Sequence, residues 1–163
     1  MTRANLLSAL TAVLVLAVAF AVFAGLRANS SSANAALADP AATTEVTDQV
    51  SAGVKSIFSY DYANLDRTER AASSVLVDEA VGQYQSAFAT AKQQASDQKL
   101  VRTTNIGSAG VQELHGDEAR LLIFMDQQTL NTATNAQSSA PACLLVKARK
   151  IDGEWKIASL TAL

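Results

Sequence analysis

Three tyrosines, Tyr60, Tyr62 and Tyr84, and an aspartate that ends an apolar run, Asp126 in "LLIFMDQQT", are the side chains of this chain that could do chemistry together. A carboxylate in an apolar pocket can take a proton, and a phenol held beside it can donate to a developing oxyanion. Phe124 and Trp155 would wall such a pocket. The other reactive side chains form no set. His115, the only histidine, stands in "LHGDE", a turn in which a polar residue needs no further role. Cys143, the only cysteine, lies in the apolar run "CLLV"; it reads as a buried, inert thiol and excludes an internal disulfide. With no partner for either at ligand spacing, the sequence points to no catalytic triad, no metal centre and no cofactor.

The tyrosines have a second reading. A tyrosine packs its ring on a core and keeps its hydroxyl at the rim. The stretch "FSYDYANLDR", residues 58–67, then becomes the seam where one helix hands over to the next. On this reading Phe58 is in the core, Tyr60 or Tyr62 is at its edge, and Asp66 caps the following helix. An aspartate at a strand end near water is also the commoner case. The sequence therefore predicts a protein that is not an enzyme, with Tyr60, Tyr62, Tyr84, Phe124, Asp126 and Trp155 as the candidate rim of a pocket.

The elements that position these residues follow a long apolar segment. No charge occurs between Arg3 and Arg27, and the intervening residues are apolar on every face. At about 1.5 Å per residue they span a hydrocarbon core of roughly 30 Å. The nearest signal-peptidase-like site, Ala36-Leu37-Ala38, lies well beyond the run, so residues 1–27 read as an uncleaved signal anchor. The amino terminus is expected in the cytoplasm and the remainder outside. Residues 28–43, small, polar and alanine-rich, read as a flexible tether, and residues 44–163 as one folded domain. Past the tether's start the chain carries 11 basic and 15 acidic residues with no basic run, which gives no footing for nucleic acid.

Within the domain, Val46, Val50, Val54, Ile57 and Phe58 form one stripe of a helix beginning at Thr44. Asp66 and Glu69 have the spacing of a capping box for a short second helix. Asp78 would cap a third, with Val81, Tyr84, Phe88, Ala91 and Ala95 facing inward. Beyond Asp97 the chain turns β-rich. "KLVRTTNIGSAGVQEL" reads as a strand bent near Gly107 or Gly110. Leu121–Met125 reads as a strand covered on both faces. "NTATNAQSSAP" is a polar loop, and "ACLLVKARKI" and "EWKIASL" form a hairpin about Asp152-Gly153. The fold class is α+β: an N-terminal transmembrane helix, then three helices on a bent four-stranded antiparallel sheet. The order fits the NTF2-like or cystatin-like cone shared by nuclear transport factor 2 and ketosteroid isomerase.

The anchor, the tether and the motifs "SIFSYDYANLDR", "FATAKQQA", "GVQELHGDEARLLIFMDQQT" and "SSAPACLLVKARKIDGEWKIASL" together resemble the actinobacterial Mce-associated membrane proteins. The resemblance implies a non-enzymatic accessory subunit of an Mce-type lipid import system. It would be anchored in the plasma membrane, in contact with Mce proteins and their permease, and have room for a bound lipid. No catalytic residues carry over. A bitopic scaffold subunit of a conjugative secretion system has the same layout and is the alternative; a ligand-binding or isomerase-like NTF2-fold protein ranks third.

Overall fold

The computed structural model describes residues 34–163. The expected anchor at 1–27 and the first part of the tether, 28–33, lie outside the described residues. Among the described residues no helix is long and apolar enough to cross a membrane. The elements are α1 (Pro40–Phe58), β1 (Tyr60–Asp61), a 3-10 turn (Tyr62–Asn64), α2 (Leu65–Val75), α3 (Asp78–Gln98), β2 (Leu100–His115), β3 (Glu118–Asn131), β4 (Gln137–Ile151) and β5 (Glu154–Ala162). The strands form one antiparallel sheet in the order β1-β2-β3-β4-β5, curled into a half-barrel.

The valine stripe does what its spacing requires: Val46, Val50, Val54 and Ile57 are fully buried, each gaining about 1.5–3 kcal/mol from leaving water. Gly53 lets α1 approach the sheet closely, because a Cβ there would lie 3.2 Å from Ile157 Cδ1. The helix starts at Pro40, four residues before the expected Thr44, with Asp39 Oδ1 accepting the Ala42 N–H at 3.0 Å. Proline suits the first turn, where its missing N–H has no partner to lose. Residues 34–39 are also built into the fold. Asn34 Oδ1 accepts from Leu114 N (2.9 Å), its Nδ2 donates to Gln112 O (2.8 Å), and Ala35 N donates to Leu114 O (2.8 Å), which covers the far end of the β2 edge.

The sheet has five strands where four were expected. Tyr60 and Asp61 pair with Arg102 and Val101, and two residues are too few to show alternation in a sequence. Capping also differs from expectation. Asp66 lies within the first turn of α2, whose N-cap is Asn64 without a side-chain bond, and Asp61 caps the preceding 3-10 turn, accepting from Ala63 N at 2.9 Å. Asp78 opens α3 with φ of 53° and turns its carboxylate to Arg149 at 2.8 Å, away from its own helix. On α3 the buried residues are Ala80, Tyr84, Phe88 and Ala95, whereas Val81 is exposed.

β3 is covered on one face only. Leu121, Ile123 and Met125 are buried under the helices, Leu122 is half-buried, and Phe124 is 48% exposed on the outer face. β2 bulges at Gly107, as its glycine suggested, and again at Gln112. The Ser-rich stretch belongs to β4, leaving a loop of residues 132–136. Pro141 pairs with Asp126 where β5 no longer covers β4, an edge position that tolerates a missing N–H. The Asp152-Gly153 turn has positive φ at both residues, 52° and 82°, as a two-residue hairpin of this twist requires.

Candidate functional site

Helix α1 ends inside the molecule, so its last carbonyls need donors that the helix cannot supply. Three side-chain hydroxyls provide them. Tyr84 Oη donates to Ile57 O at 3.0 Å, Thr104 Oγ1 to Phe58 O at 2.8 Å and Thr68 Oγ1 to Ser59 O at 3.0 Å. All three residues are buried, and Ser59 Oγ in return accepts the Thr104 N–H at 3.0 Å. The stretch Phe58–Arg67 is thus a joint that locks α1, α2, α3 and β2 together. Burial drives the Tyr84 phenol well above its usual pKa, with the nearby Glu69 carboxylate adding to the effect.

Helix α2 divides two openings. On one flank lies a groove of about 510 Å³ lined by Ala72, Leu76, Val81, Tyr84 and Phe88, with the Glu69–Lys92 ion pair at its mouth. Tyr84 and Phe88 stack at 5.0 Å, Tyr60 meets Phe88 edge-on at 6.2 Å, and Phe58 meets Tyr84 at 6.4 Å. The four rings form one cluster behind the groove.

On the other flank is a cleft of about 540 Å³ bounded by the end of α1, β1, the start of α2 and the first residues of β2. Lys55, Arg67 and Arg102 line it together with Ser56, Ser59, Asn64, Thr68 and Thr103; Asp61 is its one acidic residue. The Arg102 guanidinium lies 5.1 Å from the Tyr60 ring centroid and its Nε donates to Thr129 Oγ1 at 3.1 Å. Burial raises the Tyr60 phenol pKa, and the Arg102 charge partly offsets this.

The six residues marked from the sequence do not share a cavity. Tyr60 and Tyr84 lie in the aromatic cluster, and Tyr62 is half-buried on the 3-10 turn. Trp155 is buried at the hairpin, where its backbone N–H donates to Gln49 Oε1 at 2.7 Å and Lys150 Nζ stands 5.8 Å from its ring centroid. Phe124 and Asp126 point outward on β3, opposite the helices, where Asp126 accepts from Ser139 Oγ at 2.6 Å. Cys143 pairs with Phe124 across the strands and is half-buried, less enclosed than its apolar run suggested. His115 does end a strand at the Gly116 turn. Among the described residues no group of three or more His, Cys, Asp or Glu side chains is placed to hold a metal ion.

Sequence reasoning missed Lys55, Arg67 and Arg102 as a set, because they come from three elements and no local spacing joins them. The only signal was that Lys55 shortly precedes the aromatic seam and Arg67 ends it.

The fold defined by these elements is NTF2-like, and solved structures share it at low sequence identity. The chain is similar to the periplasmic domain of DotI (TM-score 0.64, 12% identity, covering 74% of this chain and 94% of that one). It is similar to an IcmL-like type IV secretion system protein of Legionella pneumophila (0.65, 8%, 74% and 91%). It is also similar to CagV, a VirB8 homolog of Helicobacter pylori (0.61, 14%, 73% and 96%). In sequence it is 31% identical over 124 residues to an uncharacterized protein found in two strains of Mycobacterium tuberculosis. That match spans 76% of this chain but only 56% of the relative, so the chain spans little more than half the length of the curated relatives it matches. No protein-family model matches the sequence.

Proposed function

We propose that this chain is a non-enzymatic assembly subunit of a cell-envelope transport machine: a membrane-anchored scaffold of the type IV secretion kind whose folded domain stands outside the cytoplasm. The observation that carries the reading is architectural. The described domain alone, following an apolar amino-terminal segment, accounts for 91–96% of the length of the three secretion-system domains to which it is similar. The outer sheet face adds support, since Phe124 is exposed there beside half-buried Leu122, Cys143 and Leu145. Exposed apolar side chains grouped on one sheet face suit contact with another subunit. The separation of Asp126 from the tyrosines, on opposite faces of the sheet, argues against the proton-transfer set considered from the sequence.

An accessory role in Mce-type lipid import is the second reading, favoured by the motifs from "SIFSYDYANLDR" to "KIDGEWKIASL". Purification of the tagged full chain from its native membrane in mild detergent separates the two. Conjugation-type ATPases and channel subunits in the eluate select the first reading, Mce proteins and a permease the second. Asp126→Asn and Tyr62→Phe, made in the same full chain, leave the eluate unchanged on either reading. Loss of function with both variants folded and membrane-localised would return the account to an enzyme or a ligand pocket.

A further inference from the structure

The cleft between α1, β1, α2 and β2 concentrates positive charge in a domain that is otherwise acidic. The described residues carry 11 basic and 15 acidic side chains. Five of the basic ones are held in ion pairs, namely Lys92, Arg120, Arg149, Lys150 and Lys156. Of the six that remain, Lys55, Arg67 and Arg102 line this one cleft, facing a single acidic residue. That residue, Asp61, already accepts the Ala63 N–H. Like charges gathered without counter-charges raise the energy of the folded state unless an anion joins them, and the walls carry groups suited to receive one. Ser56, Asn64 and Thr103 offer further polar side chains around the opening. Arg102 is held from two sides, by the Tyr60 ring and by Thr129, with Nε occupied. Its two terminal nitrogens make no hydrogen bond or ion pair among the described residues, and a guanidinium presents such a pair to two oxygens of one anion.

We propose that this cleft is a binding site for a phosphate group, with Arg102 as the fixed donor and Lys55 and Arg67 as mobile cations that close on the ligand. Its volume of about 540 Å³ exceeds a bare phosphate and admits a phosphate ester whose organic part rests on Ala52, Ala71 and Val101. Two sources share that chemistry, a free phosphate compound and the headgroup of an anionic phospholipid. The site does not depend on which machine the chain serves.

The test uses the full chain in a neutral maltoside detergent, titrated calorimetrically with inorganic phosphate and, separately, with short-chain phosphatidylglycerol below its micelle concentration. Lys55→Gln with Arg67→Gln, both exposed in the fold, is the test variant. Lys99→Gln with Lys147→Gln, equally unpaired but outside the cleft, is the control. Loss of two charge-assisted hydrogen bonds weakens binding by at least about tenfold in the test variant, with the control unchanged. Tighter binding of the lipid than of phosphate assigns the source to a headgroup; equal binding assigns it to a free phosphate compound. Absence of binding by both probes, or equal weakening in the control, overturns the proposal.

Discussion

The two flanks of helix α2 carry opposite chemistry. Toward Tyr84 and Phe88, Ala72 and Leu76 meet stacked rings, the Tyr84 hydroxyl is committed to Ile57 O, and the charges of Glu69 and Lys92 are paired with each other. Toward Tyr60, Arg67 and Thr68 meet two further cations, the hydroxyls of Ser56, Ser59 and Thr103, the Asn64 amide and the single carboxylate of Asp61. Both flanks use a tyrosine, and the difference lies in what each is asked to do. Tyr84 closes a helix end, so its hydroxyl is structural. Tyr60 supports a guanidinium, so its ring face is what counts. A tyrosine in a sequence motif therefore identifies a boundary between core and polar surroundings without saying whether that boundary binds anything.

Breaking the apolar flank should have the largest effect. Phe88→Ala removes the centre of the aromatic cluster and is expected to cost about 3–5 kcal/mol of unfolding free energy, measurable by urea denaturation. Thr104→Val leaves Phe58 O without its donor in a fully buried place, with an expected loss of about 1–3 kcal/mol in the same measurement. Tyr84→Phe does the same to Ile57 O at a smaller cost, about 1 kcal/mol, and carries a pH signature. The fold holds the Tyr84 proton more tightly than the unfolded chain does, so its contribution is complete below about pH 10, where the unfolded phenol begins to ionise, and is lost as pH rises further. Thermal melts of the wild type should fall above that pH, and Tyr84→Phe should flatten part of the fall. On the cationic flank the exposed Lys55→Gln and Arg67→Gln changes should shift stability by no more than about 0.5 kcal/mol. A loss as large as that of Thr104→Val would mean that the two flanks are energetically alike and that the contrast drawn between them is wrong.

The elements legible in the sequence were those fixed by local rules. The Val46-Val50-Val54-Ile57 stripe, the bend at Gly107 and the Asp152-Gly153 turn each depend on neighbours a few residues away, and each is present. What was not legible depends on distant partners. Leu121–Met125 is uniformly apolar, yet Phe124 is exposed, because nothing in the run says that only one face has helices over it. On α3 the buried stripe includes Ala80 in place of Val81, because which neighbouring position faces β5 is set by packing against a strand far along the chain. Asp78 reads as a cap until Arg149, 71 residues away, takes its carboxylate. The candidate rim suffered in the same way. Tyr60 and Tyr84 meet one ring cluster, but Asp126 and Phe124 went to the other face through the strict alternation of β3, and the cationic set was assembled by β1, a strand of two residues.

The central claim is that the domain works by contact with other subunits, and Phe124 is the place to test it. Quantitative co-purification from native membranes should be compared for the full chain and its Phe124→Glu variant, with hydrogen exchange confirming that both are folded. The account predicts that the wild type brings down membrane subunits of a transport machine in fixed ratio and that Phe124→Glu lowers that ratio severalfold. Recovery of the wild-type chain alone, or the same partners in the same ratio with Phe124→Glu, would contradict it.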